Sequence, residues 1–143
     1  TNFGAWAVVI ALEKSEGKGL NIADYAGLGR KYPAMAAAMT VFMLSLTGFP
    51  PTLGMVGKFY LFRTALAGGY TWLAIIGVVT SLISAYYYLR VVVTMYMRDG
   101  EPTVESDIWL NLTWLSAALI TVTVSLMPQW LFLLASTAVL RLF

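Results

Sequence analysis

The chain has 143 residues, 59% of them hydrophobic and 11% charged, with a formal net charge of +2. A soluble domain carries roughly 25% charged and 45–50% apolar residues, so this composition excludes an ordinary water-soluble fold and makes lipid the expected solvent. Cysteine and histidine are both absent, which removes disulfides, thiolate metal sites, the cysteine nucleophile and imidazole ligands or bases.

The first apolar run, Asn2 to Leu12, begins almost at residue 1. A crossing needs about 20 residues for ~30 Å of hydrocarbon, and no basic region precedes the run as in a signal peptide. Residues 1–12 are therefore expected to be the end of a span, and the chain the C-terminal piece of a longer polypeptide. A polar loop, Glu13 to Pro33, follows, with Lys14, Lys18, Arg30 and Lys31 against Glu13, Glu16 and Asp24. Within it, Leu20 to Leu28 reads as a short amphipathic turn at the membrane surface, with Asn21 as its N-cap.

Two apolar runs come next, Ala34 to Thr47 and Met55 to Ala67, divided by Gly48-Phe49-Pro50-Pro51-Thr52-Leu53-Gly54. Each is about 14 residues, roughly 21 Å as helix, short for a full crossing. Pro50 and Pro51 both lack an amide donor and cannot sit in a helix interior. Two short spans joined by a hairpin compete with one span, 34–68, broken at its middle. Thr71 to Met97 is a long apolar span, 98–107 a charged loop and 108–127 a further span. The segment 128–143, opened by Pro128, is expected to lie at the interface.

Charge favours one broken span. A single crossing puts loops 13–33 and 98–107 on the same side, with four basic residues and one, and the uncharged Gly68-Gly69-Tyr70-Thr71 on the other. That satisfies the positive-inside rule. The fold class expected is all-α: a polytopic transmembrane bundle with one discontinuous helix, broken around Gly48, Pro50, Pro51, Gly54 and Gly57.

Lys58 is the residue on which chemistry centres. It lies ten residues before Gly68, about 15 Å deep as helix, near the middle of the hydrocarbon. Ionisable groups at that depth mark ion or proton routes, and unwound carbonyls at a broken helix can accept from an ammonium. Desolvation favours a neutral amine whereas a nearby carboxylate favours the ammonium, so a lysine between the two influences can relay a proton. The competing role is structural, tying up the loose carbonyls of the break.

Arg90 stays charged and is a candidate to set the field around Lys58; snorkelling or a lipid phosphate is the plainer account. Arg63, nearer the outer end, is expected to snorkel. Ser81, Ser84 and one of Tyr86, Tyr87 and Tyr88 are candidates for a water wire, though serines more often pack helix on helix. Met35, Met39 and Met43 form a packing stripe. Asp99, Glu101, Glu105 and Asp107 read as a solvated loop. There is no phosphate loop, nucleotide fingerprint or nucleophile triad, and no nucleic-acid partner is expected.

The stretch Met43-Leu44-Ser45-Leu46-Thr47-Gly48-Phe49-Pro50-Pro51-Thr52-Leu53-Gly54-Met55-Val56-Gly57-Lys58-Phe59-Tyr60 resembles the antiporter-like membrane subunits of respiratory complex I. Thr1 to Ala7, Asp24 to Arg30, and Ser84-Ala85-Tyr86-Tyr87-Tyr88-Leu89-Arg90-Val91 support it, the last favouring the subunit N family. The resemblance implies a fourteen-helix subunit, held here from the tail of the eleventh helix onward, with 34–68 as the discontinuous twelfth. It implies that Lys58 lies on the exit side of a chain of buried polar residues, whose other members are on earlier helices. It further implies proton translocation coupled to NADH–quinone electron transfer, with FMN, iron–sulfur clusters and quinone in other subunits and no cofactor in this chain. The implied partners are other membrane subunits, lipid and protons, in a bacterial inner membrane. A stand-alone cation/proton antiporter is the alternative.

Overall fold

Away from water a backbone satisfies its amides most simply as helix, and the described residues follow that rule. The computed structural model describes residues 1–13, 19–50, 52–104 and 107–126. Among them every regular element is helical: α1 (Asn2–Glu13), a 3-10 turn (Ile22–Tyr25), α2 (Leu28–Lys31), α3 (Pro33–Thr47), α4 (Leu53–Ala67), α5 (Thr71–Met97) and α6 (Ile108–Leu126). The segment expected at 128–143, together with Met127, lies outside the described residues.

The core sits where α1, α3 and α6 meet. Pro33 opens α3 at a position where its missing amide costs nothing. Met35, Met39, Phe42 and Met43 then turn one face of α3 inward, against Val8, Leu12 and Trp114. Gly4 leaves room for the Phe42 ring, which a Cβ there would strike at 2.3 Å. Hydroxyls on the helices are hidden against their own backbone: Thr40 and Thr47 donate to Ala36 and Met43 one turn back, as do Ser81 and Ser84 to Gly77 and Thr80.

α5 is 27 residues long, about 40 Å. Only Ala74, Thr94 and Met95 on it are buried, while Ile75, Val79, Leu82 and Ile83 are exposed. A helix apolar all round yet uncovered within its own chain is suited to lipid or further helices. α5 and α6 are both long and apolar enough to cross a membrane.

α3 and α4 lie end to end along α5, both antiparallel to it. Gly29, just before α3, meets Tyr96 and Met95 near the end of α5, and Tyr88, Val91 and Val92 pack on the core that α3 builds. Further on, Phe62 of α4 lies on Gly77, in the first half of α5. The loops before α3 and after α5 lie at the same end of this stack and meet as well. A Cβ on Gly27, which has φ +76°, would fall 2.1 Å from the Gly100 carbonyl, and Arg30 pairs with Asp99. At the start of that loop, Asn21 holds the N-cap position of the 3-10 turn, and the Asp24 carboxylate accepts from the amides of Gly19 and Asn21.

Candidate functional site

α3 ends because Gly48 takes a left-handed conformation (φ +80°), which a residue without a Cβ adopts at no steric cost. The Gly48 amide donates to Leu44 and Ser45, and the Phe49 amide reaches back to Leu44. This is a Schellman closure. It satisfies the carbonyls of Leu44 and Ser45 and leaves that of Thr47 facing outward. A tight turn follows, in which both the amide and the hydroxyl of Thr52 donate to the Phe49 carbonyl, at 2.9 and 2.6 Å. α4 starts directly after it.

The interruption is therefore shorter than the glycines and prolines alone suggest. It lies between Thr47 and Leu53; Gly54 and Gly57 are helical, in the first turns of α4. Pro50 lies in the turn, and Pro51 is outside the described residues. Gly54 serves contact instead: a Cβ there would lie 2.0 Å from the Ser45 carbonyl, so its bareness lets the first turn of α4 lie against the last turn of α3. Gly57 has nothing within 4 Å of where its Cβ would be.

Lys58, one turn further, folds back across the gap. Its Nζ donates to the Thr47 carbonyl at 2.8 Å, and its stem covers Gly48. The side chain is half-buried and borders a cleft of about 380 Å³ between the break and α5, walled by Phe49, Met55, Phe59, Phe62, Val78 and Leu82. Among the described residues no carboxylate lines this cleft. An ammonium has three protons to donate, and the Thr47 carbonyl takes one of them.

Of the other candidates, Ser81 shares the cleft with Lys58. Ser84, Tyr87 and Arg90 do not line it. Helix geometry gives the reason: at about 100° per residue, the cleft-lining Val78, Ser81, Leu82, Ala85 and Leu89 make one face of α5. Tyr87 then falls nearly opposite, and Ser84 and Arg90 about 120° to either side. Tyr87 is exposed and stacks edge-on with Tyr86, ring centroids 5.6 Å apart, and Arg90 is also exposed. Ser81 and Ser84 donate their hydroxyl protons to the backbone carbonyls of Gly77 and Thr80 one turn back. Arg63 is exposed, and no group of three or more acidic, Cys or His residues that could hold a metal occurs among the described residues.

The Thr47 carbonyl is the one participant that a search of side chains passes over. Its signal was present: a glycine closing an apolar helix, with prolines just beyond, marks a C-terminus whose last carbonyls need partners.

Residues 1–84 match the family described as NADH:quinone oxidoreductase/Mrp antiporter, TM (transmembrane). NADH-quinone oxidoreductase subunit N of Trichlorobacter lovleyi is 54% identical over 112 residues, covering 78% of this chain and 22% of that protein. Subunit N of Chloroflexus aggregans is 42% identical over 144 residues, covering 99% of this chain and 29% of that protein. A chain in the structure of respiratory complex I from Thermus thermophilus with bound aureothin superposes with a TM-score of 0.68 at 33% identity, over 76% of this chain and 26% of that one. The chain thus spans less than a third of the length of these relatives.

Proposed function

This chain belongs to the NADH:quinone oxidoreductase/Mrp antiporter transmembrane family, and from that premise we propose that it is part of a proton-translocating subunit N, in which Lys58 passes protons through a broken membrane helix. Electron transfer from NADH to quinone, with its flavin and iron–sulfur clusters, takes place in other subunits of a bacterial inner-membrane complex. The membrane helices of those subunits, lipid and protons are this chain's partners.

The observation that carries the proposal is the bond from Lys58 Nζ to the Thr47 carbonyl at the interruption. It fixes a protonatable amine at the break while the adjoining cleft keeps the amine approachable. In this reading the bond to the Thr47 carbonyl is released and re-formed as a proton passes. Ser81 borders the same cleft, and Arg90, Ser84 and Tyr87 act at most from other faces of α5. The pairing of Arg30 with Asp99, and the seat of Gly27 on Gly100, support a single crossing for 34–68. With one crossing for 34–68 and another for α5 the loops at 13–33 and 98–107 fall on one side, whereas two crossings for 34–68 would set them on opposite sides.

The experiment is made on the assembled complex in sealed vesicles, reading NADH-driven proton uptake beside NADH oxidation. Lys58→Ala and Lys58→Arg are both expected to lose most of the uptake while the complex still assembles. The arginine variant is the sharper test, because a guanidinium can donate to the Thr47 carbonyl but does not release its proton. Normal pumping by assembled Lys58→Arg would leave Lys58 a structural role only. The family description also names Mrp antiporters, and a native assembly that fails to oxidise NADH would favour that reading.

A further inference from the structure

A second feature lies on the opposite side of α3 from the break. α3 and α6 start from the same end of the bundle and run in parallel: Lys31 to Met35 face Val104, Asn111 and Trp114, and deeper in, Ala37, Ala38 and Val41 face the stretch from Leu115 to Thr123. Between them is a groove in two connected parts that share Ala34 and Trp114. The outer part, about 380 Å³, has Lys31 and Tyr32 at its rim; the inner part, about 330 Å³, is almost wholly apolar. The groove exists because alanines at 34, 37 and 38 keep α3 thin where Leu115, Leu119 and Val122 stand out from α6.

We infer that this groove seats an anionic phospholipid of the surrounding bilayer, with its headgroup at Lys31 and one acyl chain lying inward between α3 and α6. Three observations carry the assignment. Charge is complementary: Lys31 lines the mouth of the groove and is exposed, whereas its neighbour Arg30 is engaged with Asp99 and no carboxylate among the described residues lines the groove. The order of side chains with depth is that of a lipid, a cation first, then Tyr32 and Trp114 at the level where amphipathic rings settle, then hydrocarbon. Trp114 already spends its indole proton on Asn111 at 3.1 Å, so its ring faces the groove as apolar surface. Length agrees too. Ala34 to Val41 and Trp114 to Thr123 rise about 10–14 Å as helix, close to half of a ~30 Å hydrocarbon core, the reach of one chain in one leaflet.

The test uses the whole complex in vesicles of phosphatidylglycerol and phosphatidylcholine at equal amounts, with a photoreactive diazirine amino acid substituted for Ala37. Mass spectrometry reads what is cross-linked there. Phosphatidylglycerol adducts are expected to exceed phosphatidylcholine adducts about fivefold, the bias one lysine gives at a membrane surface. Lys31→Gln is expected to bring the ratio back to that of the vesicle without abolishing the lipid adduct. Equal adducts in the unsubstituted protein, a ratio unchanged by Lys31→Gln, or an adduct to a neighbouring protein helix in place of lipid would each overturn the assignment.

Discussion

α3 and α4 are helices of equal length, 15 residues each, separated by five residues, yet they live in different surroundings. α3 buries seven side chains against α1, α5 and α6, with Phe42 fully enclosed. On α4 none of the described side chains is buried, and Phe59, Tyr60 and Leu61 stand exposed. α4 is held by Phe62 on Gly77 and by its ties to the end of α3: Gly54 against Ser45, and Lys58 on Thr47. One half is anchored by packing and the other is hung from it. Low local burial is where opening costs least, so α4 is the half that shifts at the smaller cost.

The strongest way to break this comparison is to truncate one phenylalanine on each half. Phe42→Ala is expected to cost about 3–5 kcal/mol of stability, whereas Phe59→Ala should leave thermal unfolding of the full-length protein almost unchanged. Equal losses would mean that α4 meets a helix outside this chain as closely as α3 meets α1. Next in size is the junction. Gly54→Ala forces a Cβ onto the Ser45 carbonyl and should destabilise by about 1–3 kcal/mol, lowering the yield of assembled complex. Gly57→Ala meets open space and should be neutral or raise stability by about 0.5–1 kcal/mol.

The smallest effect sharpens the anchored side at its loop. Tyr25 is buried and its hydroxyl donates to the Gly19 carbonyl. Burial, with Asp24 and Glu13 nearby, pushes its phenol up to about 12 from the ordinary 10. The folded loop therefore holds the neutral phenol more tightly than the unfolded chain does. Stability is full below pH 10 and falls as pH rises from 10 towards 12. Following unfolding against pH should show this decline, and Tyr25→Phe should remove it.

The helices themselves were legible because apolar runs and proline breaks are local signals: α5 coincides with the run at 71–97 and α3 ends where Gly48 stands. Lys58 was legible as an isolated charge among apolar neighbours. Its acceptor was not, since nothing in the identity of Thr47 tells that its carbonyl, rather than its hydroxyl, takes the bond. Gly54 and Gly57 read alike in sequence but differ in what approaches them, which depends on how the first turn of α4 meets the last turn of α3. Ser84, Tyr87 and Arg90 drew notice as polar groups in a long apolar helix. Their angular offset from Ser81 was available by counting, but the direction of the cleft was set only when α4 came to rest on Gly77.

The interruption has an electrostatic consequence for the kind of side chain that position 58 accepts. A continuous helix carries its partial charges, about half an elementary charge, at its two extremities. The turn at residues 48–52 leaves the negative end of α3 at Thr47, and Lys58 Nζ lies on that end. Site 58 is thereby biased towards a cation by the backbone, with no carboxylate lining its cleft among the described residues, and a glutamate placed there would face repulsion from the carbonyl that now holds the lysine.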